Sequence, residues 1–238
     1  MPAKLVIIPT LNEVENIEKV VLSVFALQEN FSILIVDDDS DDGTQAIIKQ
    51  LAANHTSLFY LFRDSNKGLG RAYVEGFKWA LKKGYDYILQ MDADFSHNPE
   101  DLLKLYATCH EADYDMAIGS RYVQGVNVVN WPMKRVLLSW FASKYVKLIT
   151  GMPVEDATAG FVCYKKSVLE NLDLTRIKFV GYAFQIEMKY KVYLLKHKIK
   201  EVPVIFTDRE KGKSKMNARI INEAIIGVLK LKLQKLRI

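Results

Sequence analysis

Four short apolar runs punctuate the first ninety or so residues: Leu5-Val6-Ile7-Ile8, Ile33-Leu34-Ile35-Val36, Leu58-Phe59-Tyr60-Leu61 and Tyr87-Ile88-Leu89-Gln90-Met91. They are continuous rather than alternating, the pattern of strands buried on both faces. Between them the apolar positions take helical spacing, first at Ile17, Val20, Val21 and Val24, then at Ala46, Ile47, Ile48 and Leu51, then toward Trp79 and Leu81. Pro9 stops the first run, and Asn12, followed by Glu13 and Glu15, is placed to cap the first helix. Strands alternating with helices of this length predict βαβ units and an α/β fold with a mixed, mostly parallel sheet flanked by helices.

The second half is less regular. Ala117-Ile118-Gly119-Ser120-Arg121-Tyr122 reads as a strand end, now basic. A helix follows Trp131-Pro132, with Leu137, Trp140, Phe141, Tyr145 and Leu148 on one face and Lys134, Arg135, Lys144 and Lys147 elsewhere. That pattern fits a core-packing helix with a wetted basic side, or an interfacial helix with aromatics at headgroup level. Asp156 to Phe161 reads as a loop before a strand at Val162-Cys163-Tyr164, residues 181–188 as the start of a helix, and 201–206 as an edge strand. Residues 207–216 gather basic side chains around Gly212, as a lid over a diphosphate or a solvated loop would. The chain closes on a helix through Leu229 and a basic, apolar tail from Lys230, suited to a membrane surface or a dimer contact.

Charge sharpens this division. The net +5 conceals 10 Lys/Arg against 19 Asp/Glu in residues 1–119, and 23 against 9 in residues 120–238. One half is suited to a cation, the other to anions or an anionic surface. Nucleic acid is disfavoured, since no zinc-ligand set, glycine-flanked aromatic signature or long basic helix accompanies the charge. Cys109 and Cys163 show no metal or redox spacing, and Met1-Pro2-Ala3-Lys4 is no secretory signal, so a cytoplasmic setting is expected. No apolar run approaches the ~20 residues that span a bilayer.

Candidate chemistry lies where the apolar runs end, the edge at which open α/β sheets bind ligands. Asp92 and Asp94 flank one small residue after the fourth run, hard oxygen ligands suited to Mg²⁺ or Mn²⁺; an Asx turn is the bland alternative. The cluster from Asp37 to Asp42 admits a calcium loop, a solvated turn or a carboxylate that binds a nucleotide base, and the first lacks its closing glutamate. Gly68-Leu69-Gly70 is no Walker loop; its glycines suit a tight turn and close packing.

With these landmarks, from Pro9-Thr10-Leu11-Asn12-Glu13 through Met91-Asp92-Ala93-Asp94-Phe95-Ser96-His97 and Gly119-Ser120-Arg121-Tyr122 to Asp208-Arg209 and Lys215, the chain resembles the family-2 glycosyltransferases, and within them the dolichyl- or polyprenyl-phosphate mannose synthases. The resemblance implies a GT-A-like, Rossmann-type catalytic domain over residues 1–216, its nucleotide half about 1–119 and acceptor half about 120–216, then a C-terminal amphipathic basic segment at 217–238. It implies that Pro9, Thr10, Glu13, Val36 and Asp38 line a nucleotide pocket, that Asp92, Ala93 and Asp94 meet ribose and diphosphate, and that Asp94, with Ser96 adjoining, holds Mg²⁺ or Mn²⁺. Arg121, Arg135 and Ser139 would receive the lipid phosphate, with Arg121 also near the sugar, and Arg209 and Lys215 would close over the diphosphate. The implied reaction is inverting transfer of mannose from GDP-mannose to a polyprenyl phosphate by a peripheral membrane enzyme. UDP-glucose or another sugar nucleotide is the rival donor. A sugar hydroxyl is the rival acceptor, needing a carboxylate base for which Asp156 and Glu187 are the candidates. A non-catalytic sugar-nucleotide-binding subunit is a third reading, and a membrane-embedded partner subunit remains possible. Leu11, where an aromatic is usual in the family, and Val162, where a basic residue is frequent, depart from the pattern.

Overall fold

A computed structural model of the chain describes residues 2–65, 67–181, 183–209 and 218–233, the last segment with its side chains from residue 226 onward. Its elements run β1 (Lys4–Thr10), α1 (Ile17–Phe25), β2 (Phe31–Asp37), α2 (Thr44–Asn54), β3 (Leu58–Phe62), α3 (Leu69–Lys83), β4 (Tyr87–Gln90), α4 (Asp101–His110) and β5 (Met116–Ser120). There follow β6 (Val128–Val129), α5 (Met133–Thr150), β7 (Val162–Lys165), α6 (Lys166–Glu170), a single 3₁₀ turn at Leu174–Arg176, α7 (Ala183–Leu194), β8 (Ile199–Pro203), β9 (Phe206–Thr207) and α8 (Ala218–Leu233).

Seven strands form one sheet in the order β3-β2-β1-β4-β7-β5-β8, and β6 and β9 pair in a small second sheet. The continuity of the apolar runs is explained by cover on both faces. Leu5, Ile7, Leu34 and Val36 pack toward Tyr73, Phe77 and Phe184 of α3 and α7, whereas Val6, Ile8, Ile33 and Ile35 pack toward α1, α2 and α4. The chain leaves β1 toward β2 on one side and later returns to its other side as β4, so the β1/β4 boundary is a topological switch point. Ligands in open α/β sheets bind outside such a point, and Asp92 and Asp94 follow β4 there.

β7 runs antiparallel to both β4 and β5. Its approach, residues 156–161, therefore enters from the edge at which its neighbours end. Direction is invisible in three apolar residues, so the sequence pattern located this strand without orienting it. The expected strand at 201–206 divides instead: β8 closes the sheet at its edge and β9 crosses to β6.

Two helices depart from expectation. Asn12 does not cap α1. It adopts a left-handed backbone (φ 56°) and its side chain is tied to Asp41, while α1 begins five residues later. The apolar face expected of α5 is divided. Ser143, Val146 and Thr150 are its buried residues and Tyr145 packs against the core, whereas Phe141 is 59% and Leu148 82% exposed. α8 lies against α5 and α7, with Val228 and Leu231 joining the core. Among the described residues no helix is long and apolar enough to cross a membrane.

Candidate active site

The acidic turn after β2 is mostly a fastening. Asp37 accepts from Thr10 Oγ1, from Ser40 and from Gln45 Nε2. Asp42 holds the backbone of Val14 and the start of α2 at Thr44, and Asp39 pairs with Lys67. These contacts lock the turns after β1 and β2 together, which answers the calcium-loop alternative with a solid structural role for three aspartates.

Asp38 differs. It is buried, ion-paired with Arg63, and accepts the Gly68 N–H at 2.6 Å. Gly68 is therefore needed both for its backbone (φ 127°) and for the room it leaves Val180, while a methyl on Gly70 would meet Phe179 O at 2.6 Å. Tight turning and close packing were the expected uses of this loop. Thr10 and Glu13 are buried at the same strand ends, and Glu13 accepts from Asn16. Pro9 stands beside them in β1, paired in register with Val36. Val36 itself is fully enclosed, so its side chain belongs to the core.

The remaining sequence candidates converge. A cavity of about 350 Å³ is lined by Asp92, Asp94, Ser96, Arg121, Arg135, Ser139 and Arg209, with Ala93 buried beneath them. Pro9, Thr10, Glu13 and Asp38 lie outside that lining, at the neighbouring strand ends. Lys215 lies outside the described residues, as do Lys211, Gly212, Lys213 and Ser214.

Arg209 reaches the acidic pair because the chain beyond β8 is stitched across the cleft. Phe206 bridges to His97, Thr207 donates to Ser96 O at 3.2 Å, and Asp208 donates to Val129 O. Arg209 then sits 2.9 Å from Asp94 Oδ2. Asp94 Oδ1 accepts the Ser96 N–H at 3.0 Å, so the Asx turn exists and the second oxygen remains turned to the cleft cation. Burial and the neighbouring Asp94 push Asp92 up to about 7 against the pull of Arg209 and Arg121. Its side chain is still 36% exposed, because it looks into the cavity rather than into the core. Two adjacent carboxylates with an all-oxygen donor set and too little fixed positive charge fit a divalent cation such as Mg²⁺ or Mn²⁺.

His97 is a site residue that the sequence reading passed over as part of a turn. Its ring stacks on Phe161 at 4.6 Å, and its Nδ1 accepts the Asp92 N–H. Burial, reinforced by Arg121 against the pull of nearby carboxylates, lowers its pKa to about 4, so the imidazole is neutral and serves as an acceptor that fixes Asp92.

At the other end of the cavity, Asp156 grips Arg121 with both oxygens, at 2.7 and 2.6 Å, and also accepts its backbone N–H. Burial alone would raise the Asp156 pKa; the charge and hydrogen bonds of Arg121 overcome it and leave the carboxyl below its ordinary value. Glu187 is likewise engaged, accepting the N–H groups of Lys178 and Phe179 and pairing with Lys191. Trp131 is stacked by Arg135 at 4.0 Å and Arg121 at 5.4 Å, and Arg135 is held by Asp208 at 2.7 Å. Leu138, Phe141, Ala142 and Tyr145 of α5 and Val228 of α8 form an apolar wall leading away from these arginines.

Residues 5–173 match the domain family described as glycosyl transferase family 2. The chain is 44% identical over 225 residues to a polyprenol monophosphomannose synthase of Mycolicibacterium smegmatis, covering 94% of this chain and 84% of that protein. It is 41% identical over 224 residues to an undecaprenyl-phosphate mannosyltransferase of Micrococcus luteus, covering 94% and 91% respectively. Among solved structures, glucosyl-3-phosphoglycerate synthase from Mycobacterium tuberculosis, in complex with Mn²⁺ and UDP-glucose, superposes with a TM-score of 0.70 at 16% identity, over 97% of this chain and 79% of that one. The same enzyme with Mg²⁺ and UDP gives 0.69 at 15% identity, over 97% and 79%.

Proposed function

The chain belongs to glycosyl transferase family 2 and is a glycosyltransferase; from that premise we propose that it moves mannose from GDP-mannose to a polyprenyl phosphate, with inversion, at a membrane surface. The observation that carries this reading is the state of the carboxylates. An alcohol acceptor needs a general base within hydrogen-bond reach. Among the described residues, both candidates for that base are engaged elsewhere, Asp156 on Arg121 and Glu187 on the 178–179 backbone, and the remaining cavity carboxyl, Asp92, stands beside Asp94 at the diphosphate end. A phosphate monoester, with a second pKa of about 6, is already ionised at neutral pH and attacks without one. Arg121, Arg135 and Ser139 supply cationic and hydroxyl donors of the kind that a phosphate accepts from.

Asp94, with Ser96 adjoining, would hold the divalent ion, which supplies charge stabilisation for the departing diphosphate. Arg209, delivered by the β9 crossing, adds a second positive charge at that end. Thr10, Glu13 and Asp38 stand where the nucleotide would lie, outside the switch point. The apolar wall of α5 and α8 suits the prenyl chain, and the outward residues Met133, Leu137 and Leu148 suit the bilayer beside it. Basic side chains near an anionic surface each add about 1 kcal/mol of attraction, and Lys134 is exposed on that helix.

Incubation with separately radiolabelled sugar nucleotides, Mg²⁺ and polyprenyl phosphate tests this. The expected result is label from GDP-mannose in the organic phase. Preferential transfer from UDP-glucose would replace the donor, and no organic-phase label from any donor would overturn the reading.

A further inference from the structure

Sheet order places one stretch of cleft floor between the acidic and basic ends. β7 lies between β4 and β5, so the approach to β7 separates Asp92 from Arg121. At its centre is Gly160, whose missing side chain leaves a bare patch. A methyl built there would stand 3.5 Å from Gln185 Nε2 and 3.9 Å from Asp92 Oδ1, with nothing clashing.

Gln185 comes from the first turn of α7 and lines the cavity while only 2% exposed. Its Oε1 has no hydrogen-bond partner among the described residues. Buried amides without partners are uncommon in folded proteins, and such a group in a cavity points to a ligand that completes it.

The neighbouring charges choose the ligand. An amide offers a donor and an acceptor, and a carboxyl offers acceptors. That set matches sugar hydroxyls, which donate and accept, and it brings no fixed positive charge for a phosphate. The cations of the site stand at its two ends, Arg209 by Asp94 and Arg121 by Asp156. A glycosyl group joined to a diphosphate at one end and attacked from the other has to cross the space between them.

We propose that Gln185, with Asp92 across the bare backbone of Gly160, is the specificity-determining subsite that reads the hydroxyls of the transferred sugar. This rests on the donor reading above and deepens it. The protein itself would accommodate alanine at 160, which meets its neighbours at ordinary contact distances without a left-handed backbone, so the added methyl would take only space that a bound ligand uses.

The test compares the full-length wild type with Gln185→Leu and Gly160→Ala by calorimetric titration, using the sugar nucleotide that the wild type transfers and, separately, its bare nucleoside diphosphate, both with Mn²⁺. Each variant should weaken binding of the sugar nucleotide roughly tenfold or more, as expected when a site built to bond hydroxyls loses its partner, with the bare diphosphate changed less than about twofold. In transfer assays the preference for that donor over its C2 epimer should shrink in Gln185→Leu. Equal weakening of both ligands would make Gln185 a structural residue, and unchanged sugar-nucleotide binding in both variants would also overturn the proposal. The parent reading is judged separately, by wild-type transfer to polyprenyl phosphate, so the two can fail independently.

Discussion

Removing Asp156 separates a phosphate acceptor from a hydroxyl acceptor. The carboxylate is fully enclosed and Arg121 is buried with it, joined by a two-oxygen ion pair and a backbone hydrogen bond. Deleting one member of a buried pair leaves the other charge uncompensated and costs about 3–5 kcal/mol. In a chain of this size each kcal/mol lowers the melting temperature by roughly 2–4 °C, so Asp156→Ala should lose about 6–20 °C. Asp156→Asn, which keeps the shape and one acceptor, should lose less, and should retain measurable transfer at temperatures where it is folded. The pH dependence has a fixed sign. A carboxyl held below its ordinary value of 3.8 stabilises the fold above that pH, and the contribution is lost as pH falls through the lowered value. The wild type should therefore shed stability on the acid side below about pH 4, more steeply than the Asn variant. Thermal melts and urea titrations across pH, with transfer rates measured in parallel, read both quantities. An Asn variant as stable as wild type but slowed by the roughly 10²–10⁴ of a lost general base would refute the argument and restore a hydroxyl acceptor.

Asp94→Ala should abolish metal-dependent transfer while melting within a few degrees of wild type; unchanged turnover would remove Asp94 from the site. Arg135→Ala, which deletes a guanidinium held by Asp208 and stacked on Trp131, should raise the KM for polyprenyl phosphate roughly 10- to 100-fold, with the donor KM nearly unchanged; equal effects on both would contradict its place at the acceptor. Leu137→Glu combined with Leu148→Glu alters two outward side chains and should weaken liposome co-sedimentation by at least about tenfold, sparing nucleotide binding; full retention would move the membrane contact off α5. Lys189 is buried against Ala159 O, and burial lowers its pKa to about 7 against an ordinary 10.5. The unfolded chain then binds more protons between these values, so stability should rise from pH 7 toward 10 and the rise should flatten in Lys189→Met; an identical alkaline limb would contradict it.

Much of the frame was legible because both faces of the sheet are covered, which makes strands such as Ile33–Val36 continuous and apolar and leaves polar chemistry only at their ends. Asp92 and Asp94 stood out for that reason, as did the glycines at 68 and 70. What stayed hidden was hidden physically. Asp37 and Asp38 are adjacent and identical in type, yet one fastens a turn and the other pairs with Arg63. An apolar helix stripe has the same spacing whether it meets a core, a cavity or solvent, so spacing did not reveal which residues of α5 point outward. Lys189 lies on a helix whose faces are nearly all buried, and no local pattern marks it. His97 lay in a stretch whose turn-forming residues accounted for it without a contact to Phe161. The hydrogen bonds of Asn12 reach the turn at Asp41, a partner that local capping rules do not consider.

Transfer of this kind depends on a nucleophile that arrives already charged. Radiolabelled GDP-mannose offered side by side to a polyprenyl phosphate and to the free polyprenol of equal chain length measures this directly. Label should enter only the phosphate-bearing lipid, at a rate that Arg135→Ala depresses. Comparable labelling of the free alcohol would contradict it.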